Sequence, residues 1–160
     1  MSSQSPNVTL RPVGADDHDF LLEVYGSTRA EELAVVPWTS EQRDIFVRSQ
    51  FAAQQEHYSQ KYPAASHDII LFEGRQVGHL YVARLDQEIR IVDITLLPIE
   101  RNAGIGTCLI TRLLDEADCT RKFTRIYVEE FNPSLSLFTR LGFSPSKQDG
   151  IHLLMQRTPC

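Results

Sequence analysis

A single mixed α/β domain is what this sequence predicts, with a largely antiparallel sheet of about seven strands flanked by about four helices. Three observations lead there. The chain has 160 residues, 42% of them hydrophobic, which suits one domain that buries roughly two-thirds of its unfolded surface without metal or disulfide staples. Its apolar residues switch repeatedly between a spacing of two and a spacing of three to four, so strands and helices both occur. Most strand-like runs are joined by connections too short for parallel pairing, whereas one leads into a long helix and implies a right-handed parallel crossover.

Residues 1–7 read as a flexible polar leader, 8–156 as the domain and 157–160 as a C-terminal tail. Val8–Val13 alternates as a strand, and Pro12 suits a sheet edge or a strand end. Asp16 and Asp17 signal a helix start, followed by Phe20, Leu21, Val24 and Tyr25 at helical spacing. The stretch from Glu31 reads as a short helix that Pro37 stops, leaving Trp38 in a loop. Ser40 is the expected N-cap of a long helix that Pro63 ends, with Val47, Phe51, Gln55, Tyr58 and Tyr62 along one face. Asp68–Phe72 and Gln76–Ala83, joined around Glu73-Gly74-Arg75, form an expected hairpin, and Gln87–Leu97 a further strand stopped by Pro98. Gly104–Thr120 returns to helical period, Phe123–Val128 is a strand, Pro133–Leu141 a short helix ended by Gly142, and 143–147 and 151–156 a last strand pair.

A net charge of −5 argues against a nucleic-acid binder, whose affinity rests on Lys and Arg. No apolar run reaches the ~18 residues of a membrane span. Three cysteines, none in a C-x-x-C pair, and no basic-then-apolar leader point to the cytoplasm. His57, His67 and His79 lack metal-ligand spacing, and H-E-x-x-H is absent, so no metal is expected. Cys108 reads as a core residue of its helix.

One stretch carries chemistry. Ile91–Leu97 runs through Arg101-Asn-Ala-Gly104-Ile-Gly106-Thr107 straight into an amphipathic helix. The free N–H groups and positive end of that helix call for an anion, and two glycines let one approach the backbone closely. A dinucleotide fingerprint fails, because its third Gly falls at Leu109, and no Gly-Lys occurs for a P-loop. The alternative is two glycines that merely make a tight strand-to-helix turn.

Arg101-Asn-Ala-Gly104-Ile-Gly106 resembles the acyl-CoA loop, [Q/R]-x-x-G-x-[G/A], of the GNAT superfamily of N-acyltransferases. Leu96-Leu97-Pro98 is similar to the family's apolar strand end, and Asn132 to Leu141-Gly142-Phe143 to its downstream motif, one residue shorter than the family's spacing. The resemblance runs from Val8 to Met155. It implies a GNAT-like sheet splayed at its centre, with acetyl-CoA as co-substrate. On that basis Arg101, Asn102, Ala103, Gly104, Ile105, Gly106 and Thr107 cradle the pyrophosphate. Leu96 and Leu97 pair with pantetheine, Asn132 reaches its arm, and Phe138 packs beside the thioester. Many members carry an acidic Tyr where this chain has Phe138, so that proton donor is absent, or is water, Tyr127 or Tyr25. Glu31, Glu32 and Trp38 sit where the family walls its acceptor site; the alternative is a solvated helix face and a core Trp.

Asp93 is the candidate general base, an ionisable side chain within an apolar strand. On simple alternation it shares a face with Ile91, Thr95 and Leu97, unless a bulge changes the parity. The competing reading makes it a surface residue or an ion-pair partner of Arg90 or Arg84. Glu129 and Glu130 are the runners-up. The expected function is acetyl transfer to a small-molecule or peptide amine, with a homodimer left open. The alternatives are a non-catalytic acyl-CoA-binding module and a nucleotide-binding regulatory domain.

Overall fold

The structure, a computed structural model, describes residues 7–160. The expected leader therefore lies outside the described residues apart from Asn7, whose carbonyl accepts from the Glu73 amide. Seven strands, β1 (Val8–Pro12), β2 (Ser66–Phe72), β3 (Arg75–Arg84), β4 (Glu88–Leu96), β5 (Phe123–Glu129), β6 (Ser144–Asp149) and β7 (His152–Arg157), form one sheet. Their spatial order is β1-β2-β3-β4-β5-β7-β6. The helices are α1 (His18–Ala34), α2 (Ser40–Lys61), α3 (Ile105–Thr120) and α4 (Leu135–Arg140). All neighbouring strands are antiparallel except β4 and β5, which α3 connects as the crossover its length demanded.

Local chemistry sets the boundaries. Pro12 lies on edge strand β1, where its missing N–H costs no ladder bond. Glu73 and Gly74 both take left-handed φ values (51° and 84°) and turn β2 tightly into β3. Glu31 to Trp38 is not a separate helix: α1 continues to Ala34, because nothing before Pro37 removes an N–H. The cap of α2 is Thr39 rather than Ser40, with Gln42 completing a reciprocal capping box. β7 runs to Arg157, one residue past the expected domain end, and the Cys160 amide donates to Asp118.

Two apolar cores lie on opposite faces of the sheet. Ile70, Val77, Leu80, Ile89 and Ile91 pack with Ile105, Leu109, Ile110 and Leu113 of α3 and with Phe138 of α4. On the other face, Ile69 packs with Leu21, Tyr25 and Phe51 of α1 and α2. Asp17 does not cap α1 through its side chain. Its carboxylate accepts two bonds from Arg11 at 2.8 Å and one from the Gly14 amide at 2.7 Å, tying the helix start to β1. The Arg11 guanidinium, followed by that amide, holds the Asp17 carboxyl well below the usual carboxylate range. Its contribution to stability is therefore complete above the unfolded-state value near 4 and drains away as the pH falls below it. Asp17→Asn lowers the urea midpoint at pH 7, and the gap between variant and wild type closes progressively below about pH 4. A gap independent of pH removes Asp17 from the acid limb.

Candidate functional site

The β4–β5 pairing is short. Glu88, Ile89 and Arg90 face Phe123, Thr124 and Arg125, and no pair follows. Beyond Arg90 the two strands part, β4 staying with β3 as far as Leu96 and β5 with β7 as far as Glu129. The Leu97 amide donates to Val77, so in the alternating ladder the N–H and C=O groups of Ile94 and Leu96 face away from β3, into the gap. Both main-chain groups of Leu97 are spent within the chain, since its carbonyl also accepts from the Glu100 amide.

At the C-terminal end of β4 a 3-10 turn (Pro98–Glu100) leads into Arg101–Gly104, where Asn102 (φ 67°) and Gly104 (φ 81°) are left-handed. Gly104 is the N-cap of α3 and has no side chain to cap with, and the first turn carries no acidic residue. The first intrahelical bond runs from the Cys108 amide to Gly104. The N–H groups of Gly104, Ile105, Gly106 and Thr107 are thus left without helical acceptors. The Ile105 side chain anchors this turn in the core at 1% exposure, while Arg101, Asn102 and Ala103 are exposed. Arg75 holds Glu100 at 2.8 Å and takes up the one carboxylate flanking the loop. These features fit a diphosphate.

Asp93 lies on the opposite face. Val92 is an extra residue in β4, because Tyr81 pairs with Asp93 while Val82 pairs with Ile91. This bulge flips the parity beyond it: Ile94 and Leu96 join the α3 core with Ile89 and Ile91, while Asp93 and Thr95 face the α1–α2 side. Asp93 therefore does not share the face of Ile91. Neither Arg90 nor Arg84 pairs with it; they bind Glu88 and Glu116. Its oxygens accept from Thr95 Oγ1 at 2.8 Å and approach His79 Nε2 at 3.3 Å, with the side chain 21% exposed. Burial pushes the Asp93 carboxyl up, but the His79 hydrogen bond and charge, Thr95 and His67 outweigh it, and it lies below its ordinary value.

A sequence model of the acetyltransferase (GNAT) family matches residues 28–143, more than half of the chain. The chain belongs to this family. As a GNAT acetyltransferase it takes its acyl group from acetyl-CoA. Three solved structures share the fold. A PaiA N-acetyltransferase from Thermoplasma acidophilum in complex with coenzyme A is 16% identical over 95% of this chain and 99% of that one, with a TM-score of 0.72. An acetyltransferase from Streptococcus agalactiae is 17% identical, covering 94% and 98%, at 0.62. A GNAT family acetyltransferase from Elizabethkingia anophelis with acetyl-CoA bound is 15% identical, covering 95% and 98%, at 0.56. A comparison with curated protein sequences finds no match.

The other expected site residues of this GNAT chain fall in three places. Asn132 follows β5 and uses its side-chain oxygen to accept from the Ser134 amide, 2.9 Å away, at the start of α4. Phe138 is 2% exposed in the α3 core, edge-on to Phe143. α4 leans on the start of α3, with Leu137 Cδ2 3.8 Å from where a Cβ on Gly106 would stand. Glu129 is half exposed at the end of β5, 4.0 Å from His152, and Glu130 accepts from Gln148. Glu31 and Glu32 are exposed on the last turns of α1, Glu32 paired with Arg29, and Trp38 packs edge-on against Phe46. The structure thus gathers Asp93, Ile94 and Leu96 at the gap and 101–107 at its mouth. It adds Tyr58 of α2 and, from the strands, His67, His79 and Tyr81 around Asp93; the placement of these three depends on strand register and leaves no mark in a motif. Among the described residues no helix is long and apolar enough to cross a membrane, and no cluster of three His, Cys, Asp or Glu could hold a metal ion.

Proposed function

We propose that the chain is an N-acetyltransferase acting on a primary amine by direct attack in a ternary complex. The observation that carries this reading is the β4–β5 gap, lined by free main-chain groups of Ile94 and Leu96 and flanked by a glycine loop at a helix N-terminus on one side and a half-buried carboxylate on the other. Acetyl-CoA supplies the acyl group as a thioester. The amides of 104–107 and Arg101 hold its diphosphate, and Ile94 and Leu96 offer strand-like pairing to the pantetheine arm. Asp93 takes the proton that the attacking amine must lose, since an alkylamine is charged at pH 7 and only its neutral form attacks. The new bond joins nitrogen to the acyl carbon, the carbon–sulfur bond breaks, and the thiolate leaves. The three free cysteines suit a reducing, cytoplasmic setting.

Thiol release from acetyl-CoA, measured over butylamine, ethylenediamine, lysine and a short peptide, tests the reading. Asp93→Asn lowers kcat by about 10²- to 10⁴-fold, the range of a general base, and leaves the CoA-induced rise in Tm intact. An unchanged kcat removes Asp93 from the chemistry. The buried Phe138, with no hydroxyl to donate, favours a second reading in which the fold binds acetyl-CoA without turnover. CoA binding with no thiol release for any amine decides for that one.

A further inference from the structure

Two histidines without a part in the proposed chemistry stand behind Asp93. In the sheet, His67 of β2, Tyr81 of β3 and Asp93 of β4 lie directly opposite one another, with His79 one step along β3 on the same face. His79 is 6% exposed. Its Nδ1 is 2.9 Å from His67 Nε2, and its Nε2 is 3.3 Å from Asp93 Oδ2. Three titratable groups from three adjacent strands thus form one line of polar contacts, His67 hydrogen-bonded to His79 and His79 beside Asp93, that ends at the gap.

Donor and acceptor counting fixes its direction. A charged Asp93 can only accept, so His79 Nε2 must carry a proton towards it. If His79 is neutral, its Nδ1 accepts from His67 Nε2; if it is charged, its Nδ1 donates to His67 Nε2. Only a neutral imidazole at His67 serves both states, and burial together with the neighbouring His79 lowers His67 to about 4. Stacking on Tyr81, with ring centroids 4.4 Å apart, holds the His67 ring in place. Thr95 serves Oδ1 and His79 serves Oδ2, which leaves each oxygen a further lone pair. The surrounding groups are Tyr81 of β3, Tyr58 of α2, Tyr62 just after α2, Tyr25 of α1, Asp17 before α1 and Arg90 of β4. Arg90 is engaged by Glu88 and the Tyr62 hydroxyl, and no Lys or Arg forms an ion pair with Asp93 among the described residues.

We propose that His79 and His67 are positioning residues for acetyl transfer: the line from His67 through His79 holds the Asp93 carboxylate, charged and fixed in orientation, at the edge of the gap. This rests on Asp93 as the base. The test is the pH profile of kcat with acetyl-CoA and the fastest amine of the panel, at saturating amine so that its own ionisation is common to all variants. In His79→Leu, burial of Asp93 is opposed only by Thr95 and the more distant His67, so the acid limb moves to higher pH. His79→Gln, which can still donate to Oδ2, restores most of the profile. His67→Phe keeps the stack on Tyr81 and shifts the limb less, in the same direction. CoA affinity is unchanged throughout. Limbs that coincide with wild type in both His79→Leu and His67→Phe overturn the proposal, whereas an Asp93→Asn enzyme of full kcat overturns the reading beneath it. Imidazole nitrogen NMR on the wild-type protein decides the matter even if a variant does not fold. The expected result is a protonated His79 Nε2 across the active pH range, and an unprotonated one refutes the line.

Discussion

Gly106→Glu yields a folded protein that no longer retains CoA. Gly106 is the second residue of α3, and a Cβ there meets only Leu137 Cδ2, at an ordinary 3.8 Å. The fold accommodates the side chain, and a carboxylate in a first helical turn with no acidic residue of its own gains about 0.3–1 kcal/mol from the helix dipole. The unliganded variant is therefore at least as stable as wild type. For a diphosphate the same carboxylate is a like charge, costing several kcal/mol, or more than about 100-fold in affinity. Calorimetric titration with CoA, paired with thermal unfolding with and without it, reads both signs at once. Wild-type affinity in Gly106→Glu would mean that the anion binds elsewhere.

Gly78→Ala is expected to be the most damaging methyl group in the sheet. Gly78 pairs with Leu96, and a Cβ on it would stand 2.1 Å from the Thr95 carbonyl oxygen and 3.0 Å from Leu96 Cα. Both obstacles are backbone, so β3 and β4 must separate where β4 borders the gap. The cost is about 3 kcal/mol, the upper end for overpacking, which in a chain of this size lowers Tm by about 6–12 °C. The moved segment carries Thr95, Ile94 and Leu96, so kcat falls as well. Gly26→Ala in α1 is the matched control: its Cβ meets Val47 Cγ1 of α2 at an ordinary 3.6 Å, and the change gains about 0.5–1 kcal/mol in helix propensity. Equal Tm values for Gly78→Ala and wild type would contradict the close approach of the two strands.

The fold was legible because its signals are local. The alternation in Val8–Pro12, the Glu73-Gly74 turn, the apolar stripe of α3 and the crossover each follow from a handful of neighbouring residues. The loop before α3 was legible for the same reason, since Gly104, Gly106 and the helix behind them are contiguous. Asp93 was visible as an ionisable residue among Ile and Val, but its face and its partners were not. Two bulges decide them. One at Val77 moves the β2–β3 register from Leu71 opposite Gln76 to Ile70 opposite Gly78, which brings His67 opposite Tyr81. The other, at Val92, brings Tyr81 opposite Asp93. A bulge follows from the packing of neighbouring strands rather than from a residue type, so His67 and His79 carry no sign of their alignment. The α1–α2 connection was less legible: Glu31, Glu32 and Trp38 are close in sequence, but Trp38 turns to Phe46 and the glutamates to solvent.

Val92 has a bearing on how this chain can vary over time. Losing that one residue would exchange inside for outside along the rest of its strand, sending Asp93 and Thr95 into oil and Ile94 and Leu96 towards the histidines. Many side chains could replace Val92 itself, whose service is to occupy a place. Between Ile91 and Asp93, drift in spelling is tolerable and drift in length is not.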